Sequence, residues 1–357
     1  MEKTRHQTQS VWLLLLLLVL ASNTILYRTG IGSRVLEGAA THGVVAGSLV
    51  DFAIVAPLLY LAWRKKFTWK SFLAGAAIGL IAARFIIPAE SLGRFETLTW
   101  AGFAAEGALL LLEVCLLASL FVYLPSIIRS ARSDRAPWLF SFPAAVDRHV
   151  RKHPLIQAIC SEMLMVYYAF ASWKKHPPSG ERSFTLHRKT SYIAFQVMLI
   201  HAIVIETLGI HWWLHDRSLV LSVILLLLNI YSVVYFIAEI RAVVLTPVQF
   251  DGDSLYLSLG LSKRMSIRYG DIAAIELISR DSPPKTQDGT IEFIARDFET
   301  LPPHAVLRLA RPCEAVLFMG IRKKYDQVRI RLDEPDRFVR KLERETGLRA
   351  AEPCPPR

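Results

Sequence analysis

Three ionisable side chains, His201, Glu206 and His211, stand within or at the edge of one apolar stretch, residues 191–215, that is long enough to cross a bilayer. Imidazole and carboxylate groups hold iron or zinc and carry protons. Burying either in hydrocarbon costs on the order of 3 kcal/mol, so such groups turn toward a bundle interior or a wet cavity and are the first place to look for function. Helix geometry divides the three. His201 and Glu206 are five residues apart, about 140° around a helix, and cannot chelate one ion together. His211 and His215 have the i, i+4 spacing, but they bracket Trp212 and Trp213 at the end of the stretch, where aromatic and polar side chains anchor a helix at the membrane surface. A second i, i+4 pair, His149 and His153, sits among Arg148, Arg151 and Lys152, whose charges oppose a metal ion. No GxSxG, P-loop, GxGxxG or HExxH pattern is present.

A second constellation comes from the ends of several apolar runs. Asp51, Arg84, Glu106 and Glu206 all fall within about seven residues, or about 10 Å, of what would be the outer end of their runs. Glu113 lies seven residues beyond Glu106 on the same helical face. Arg84 is the only cation in this group, and pairing it with a carboxylate relieves the burial cost of both. Such an intramembrane polar layer can be a chamber for a cation, a proton or a polar head group. It can equally be a structural ion-pair layer that fixes helix register.

The elements that must position these groups follow from the hydropathy pattern. The chain has 357 residues, 53% of them hydrophobic, with 8 Trp and a mean hydropathy of +0.34, which is the composition of a membrane protein. Six spans are expected: residues 11–27, 44–63, 71–87, 101–124, 191–213 and 219–240. The first, behind Lys3 and Arg5, reads as a retained span or as a cleaved signal. In the third, Gly75, Gly79 and Ala83 recur every four residues, a pattern that lets a neighbouring helix approach closely. The net charge of +11 is concentrated where a membrane protein keeps it. Arg64, Lys65, Lys66 and Lys70 follow the second span, and residues 125–190 hold eleven Lys and Arg against four Asp and Glu. The positive-inside rule then places both termini on the cytoplasmic side of the plasma membrane and removes any need for a nucleic-acid partner. Residues 155–173 are apolar but flanked by basic residues at both ends, so they are expected to lie at the interface rather than to span. The four cysteines are scattered singly, which suggests neither a disulfide framework nor a zinc knuckle.

After Arg241 the pattern changes to period-two alternation with turn residues, as in Val328, Ile330 and Leu332 against Arg329 and Arg331. Residues 242–349 therefore read as a small β-rich domain with a short tail at 350–357. Its strands are expected at 243–245, 254–259, 264–268, 273–278, 291–295, 305–310, 315–319 and 327–332. Asp251-Gly252 forms a hairpin turn, a loop covers 279–290, and Asp333 caps a closing helix that Gly347 ends. Two stretches, RMSIRYGDIAAIEL at 264–277 and QVRIRLDEPDRFVRKL at 327–342, make this domain resemble the pleckstrin-homology-like (PH-like) barrel of bacterial membrane proteins. That resemblance implies a binding or scaffolding module closed by a C-terminal helix. Arg322, Lys323 and Lys324 are its candidate lipid-binding residues. The whole chain also resembles a bacterial six-span family of unassigned role, some members of which carry a beta-carotene monooxygenase label. That label would imply iron and a lipophilic substrate.

The expected protein is a membrane all-α six-helix bundle with a small cytosolic β domain that acts, without catalysis, as a scaffold, sensor or lipid- or protein-binding module. Its expected partners are membrane lipids, anionic ones included, and a cytosolic protein, with no cofactor. The alternative is a membrane-embedded oxygenase using iron with His201, Glu206 and His211. A third reading, an ion-coupled carrier built on Asp51, Arg84 and Glu206, has no inverted repeat to support it.

Overall fold

The computed structural model describes residues 2–29, 41–178, 180–278, 289–296 and 302–351. The chain forms two compact units, Met1–Ala118 and Ser119–Arg357.

The first unit is helical. Helix α1 covers Glu2–Arg28. Helix α2 runs from Thr41–Val50 through a π turn, Asp51–Val55, into Ala56–Arg64. Helix α3 covers Trp69–Ile86, with Thr68 as its N-cap accepting a hydrogen bond from the Ser71 N–H at 3.1 Å. It stops before Pro88, which holds the preceding Ile87 in extended conformation. Helix α4, Glu96–Ser133, is 38 residues long, about 57 Å, and carries Pro125 within it; the boundary between the units falls inside it. The small residues of α3 do the packing their spacing indicated. A Cβ on Gly79 would meet the Phe52 carbonyl oxygen at 1.9 Å, and one on Gly75 would meet Pro57 Cβ at 3.0 Å. The π turn therefore lies directly against α3, where only glycine fits.

The second unit joins helices to a sheet. Helix α5 covers Trp138–His149, and α6 covers Pro154–Val166 and continues through a π turn, Tyr167–Ala171. Helices α7, Tyr192–His215, and α8, Leu219–Leu245, form an antiparallel hairpin. The strands are β1 Ser183–Phe184, β2 Val248–Asp251, β3 Ser254–Leu259, β4 Lys263–Arg268, β5 Ile272–Leu277, β6 Thr290–Phe293, β7 Ala305–Leu317 and β8 Arg322–Ile330. Helix α9, Pro335–Thr346, closes the domain. The sheet order is β1-β2-β3-β4-β7-β8-β6, with β5 paired to β7. Strand β7 pairs with β5 through its first half and with β4 through its last residues, and its register against β8 shifts between Arg308 and Cys313. That shift bends the strand and curls the sheet into a half-barrel. Its core holds Phe250, Leu255, Ile267, Phe293, Val328 and Phe338, with Phe338 of α9 edge-on to Phe184 at 5.4 Å.

Several expectations change. Residues 243–245 are helix, because Ala242 and Val243 are buried as the last turns of α8 enter the domain, and this packing overrides the strand preference of Val-Val-Leu. The two strands expected at 305–310 and 315–319 are one, β7. Residues 248–251 form a strand the alternation did not reveal, and 183–184 add another from the basic segment, so the β domain begins well before residue 242. Asp333 does not cap α9, whose N-cap is Glu334 without a side-chain bond. Its carboxylate instead accepts from Thr185 Oγ1 at 2.6 Å and from the Arg188 and Lys189 N–H groups at 3.0 and 2.8 Å. The parallel pairing of β6 with β8 departs from an all-antiparallel meander. Residues 279–288 of the expected loop lie outside the described residues.

Among the described residues seven helices are long and apolar enough to cross a membrane. The seventh, Pro154–Ala171, is the segment expected at the interface. It packs on α8 and on the β7–β8 loop, with Tyr231 Oη of α8 donating to Glu162 Oε1 at 3.0 Å.

Candidate functional site

The expected polar layer resolves differently in each unit. In the first unit Arg84 pairs with Glu96 at 2.9 Å, across the short loop that follows α3, rather than with Asp51 or Glu106. Its guanidinium also lies 5.7 Å from the centre of the Trp100 ring. The spacing rule missed Glu96 because it considered only groups inside the apolar runs. Asp51 opens the π turn of α2 and accepts from Asn23 Nδ2 of α1 at 2.9 Å, while Tyr27 Oη donates to Ser48 Oγ at 3.0 Å. These contacts tie α1 to α2. Glu106 is half-buried and Glu113 is exposed on α4. Each polar contact here joins two neighbouring helices.

In the second unit Glu206 and His201 are exposed on α7, and His201 Nδ1 lies 2.8 Å from the Val197 carbonyl of its own helix. His211 Nδ1 lies 2.8 Å from Ser222 Oγ of α8, and Asn229 Nδ2 donates to Thr207 Oγ1 at 2.8 Å, so these polar groups clip the hairpin together. His211 and His215 border a cleft of about 460 Å³ that opens beside Trp212. Of the other histidines, His153 caps α6 by accepting from the Leu155 N–H at 3.3 Å, and His149 Nδ1 lies 2.9 Å from the Ala145 carbonyl. Among the described residues no three His, Cys, Asp or Glu side chains are placed to hold a metal ion.

One tightly held polar group is one the sequence registered only as the end of an apolar run. Glu239 is 2% exposed. Its Oε1 accepts from Tyr192 Oη of α7 at 3.1 Å and its Oε2 from the Leu261 N–H at 2.6 Å, in the turn between β3 and β4. Gly260, in the same turn, has φ +55°, and a Cβ there would lie 2.5 Å from the Glu239 carboxylate. One side chain thus fastens both helices of the hairpin to the sheet. Around it, Arg241 donates to the Ser172 and Lys175 carbonyls at 2.7 and 3.3 Å and lies 5.2 Å from the Trp173 ring centre. Ser258 Oγ of β3 donates to the Thr246 carbonyl at 2.6 Å. An acidic residue near the end of a long apolar run, where the expected topology calls for basic residues, was the available signal.

On β4 beside this junction, burial pulls the pKa of Arg264 down, while Lys263 is lowered by the same cause. The void between α6, α8 and Arg264 is about 10 Å³, room for roughly one water centre. A larger cleft of about 470 Å³ opens between the α5–α6 turn and the β7–β8 loop, lined by His153, Gln157, Glu314 and Arg322 among others. Arg322 was expected to meet lipid, but its guanidinium is engaged by Asp147, a short contact, and by Glu314 at 3.0 Å. Lys323 and Lys324 are exposed.

A search with the whole chain against protein-family models, curated proteins and solved structures returns no match.

Proposed function

We propose that this chain is a non-enzymatic membrane protein whose β domain is a binding module held in a fixed pose at the membrane surface by the α7–α8 hairpin. The observation that carries this reading is Glu239, the buried carboxylate of α8 that receives the Tyr192 hydroxyl and the Leu261 N–H together. A module on a swinging tether needs no such group. Here α8 runs to Leu245 and β2 begins at Val248, so two residues separate the helix from the sheet. Removing one member of a buried hydrogen-bonded set leaves the others unpaired at a cost of about 1–3 kcal/mol each, which makes the pose expensive to leave. A scaffold or sensor that reads the membrane surface, or presents a partner to it, is served by that rigidity. The two binding classes left open by the sequence, lipid and protein, both fit this platform.

The test is a distance measurement between spin labels at Leu227 of α8 and Asp253 of the β2–β3 turn, in the full chain reconstituted in lipid nanodiscs. The parent should give one narrow distribution and Glu239→Ala a broad one. A broad distribution in the parent removes the reading. The iron-dependent oxygenase is discriminated by metal analysis, since stoichiometric iron in the purified chain would replace the scaffold with an enzyme.

A further inference from the structure

About 30 Å of hydrocarbon takes about 20 helical residues. Counted from Leu219, the first residue of α8, that length ends at Ala238, where α8 passes from mostly exposed apolar side chains to buried ones. Counted back from His215 at the end of α7, the same length ends at Gln196, level with Ala238 across the antiparallel hairpin. On this count the hydrocarbon beside the hairpin ends near Gln196 and Ala238. Tyr235 lies nearly a turn inside that limit, and Phe318, at the tip of the β7–β8 loop, stands edge-on to it with ring centres 5.3 Å apart. Part of the β domain is thus carried to the depth of the lipid.

The loop is built for that depth. Phe318, Met319 and Ile321 are 42, 43 and 61% exposed, and Val166, Phe170 and Trp173 at the end of α6 are exposed as well. A water-facing loop has no reason to turn three large apolar side chains outward within four residues. Met319 has φ +56°, a conformation that residues with a Cβ seldom adopt. Next to it a Cβ on Gly320 would meet the Gln157 carbonyl of α6 at 2.7 Å, so the tip is pressed onto that helix. Beyond the apolar tip and Arg322, which is paired with Asp147 and Glu314, come the exposed Lys323 and Lys324, the order that an apolar anchor followed by a head-group contact requires.

Resting on the reading of a membrane-held β domain, we infer that the β7–β8 tip is inserted in the leaflet that receives the inner ends of α7 and α8, with Lys323 and Lys324 on anionic lipid head groups. The occupant of this surface is the bilayer itself, because the patch continues the lipid-facing side of α8 and carries the complementary charge. The β domain thereby senses the composition of the leaflet it is anchored in.

The experiment places an environment-sensitive fluorophore on Met319→Cys, and in a second protein on Ile321→Cys, in the full chain with its native cysteines replaced. Leu208→Cys, on the exposed face of α7, reports the hydrocarbon, and Asp253→Cys reports water. In vesicles the tip label should emit as in an apolar medium and be quenched by brominated lipid. At equal mole fraction, brominated anionic lipid should quench it more than brominated zwitterionic lipid. Replacing Lys323 and Lys324 by Gln should lower that preference about fivefold per lysine, the factor matching about 1 kcal/mol per basic residue at the surface. A tip label that emits as in water while the Leu208 label stays in lipid overturns the inference and leaves the membrane reading standing. Both labels in water overturn both. Equal quenching by the two lipids overturns the anionic assignment, and an apolar tip signal in detergent that lipid does not quench assigns the patch to a protein surface instead.

Discussion

The polar groups of the α1–α4 unit and those at the foot of the α7–α8 hairpin solve the same problem by different means. In the first, Arg84 meets Glu96 with both side chains partly open to the surroundings, and Asp51 takes one amide from a neighbouring helix. Each contact is local, and each joins elements adjacent in the chain. At the hairpin, Glu239 is fully buried and its partners come from positions 192 and 261, one on a helix and one on a turn of the sheet. The first arrangement joins neighbouring helices. The second joins a helical hairpin to a sheet. The difference shows that the number of charges in an apolar segment does not tell which of them will be fully enclosed or how far apart in sequence its partners lie.

The sharpest way to break this comparison is Glu239→Ala. It strips the acceptor from the Tyr192 hydroxyl and the Leu261 N–H and should cost about 3 kcal/mol, read as a lower unfolding midpoint of the purified chain. Glu239→Gln, which keeps one acceptor, should cost less. Asp333→Ala comes next, at about 2 kcal/mol, because two backbone N–H groups and the Thr185 hydroxyl lose their acceptor. Faster hydrogen exchange confined to residues 185–189 would locate the effect, and an unchanged rate there would contradict it. Glu96→Gln should cost no more than about 1 kcal/mol, since exposed or half-exposed ion pairs contribute little. If it matched Glu239→Ala, the two regions would not differ as described.

The smallest effect is a pH slope. His187 is buried with its Nδ1 lacking a partner among the described residues, and burial lowers its pKa while Asp333 opposes that shift. A histidine whose folded pKa lies below its unfolded value of about 6.5 binds fewer protons folded than unfolded, so its contribution is complete above about pH 6.5 and is lost as pH falls below it. Unfolding midpoints measured from pH 7.5 to 5 should fall less in His187→Asn than in the parent.

Much of the helical architecture was legible because apolar runs of membrane length carry their own signal, and Gly75 and Gly79 announced a close helix contact that Phe52 and Pro57 supply. The alternation at 254–259 and 264–268 marked strands that do form, the one expected at 327–332 forms as the end of a longer strand that stops at Ile330, and the Gly347 stop of α9 stands with φ +72°. Strand β1 escaped notice because two residues carry no periodicity and owe their conformation to pairing with Val248 and Gln249. The cap assigned to Asp333 failed because a local rule competed with a partner 148 residues away.

By itself, then, the amino-acid sequence determined what can be read within a window of twenty residues: apolar segments, their basic flanks, and the change to period two after Arg241. The tertiary structure alone decided that Arg84 belongs to Glu96, that the chain around Thr185 completes the β domain, and that Glu239 seals the junction. The physical reason is that desolvation and hydrogen-bond geometry depend on which distant groups surround a side chain, and no local pattern of hydropathy encodes that neighbourhood.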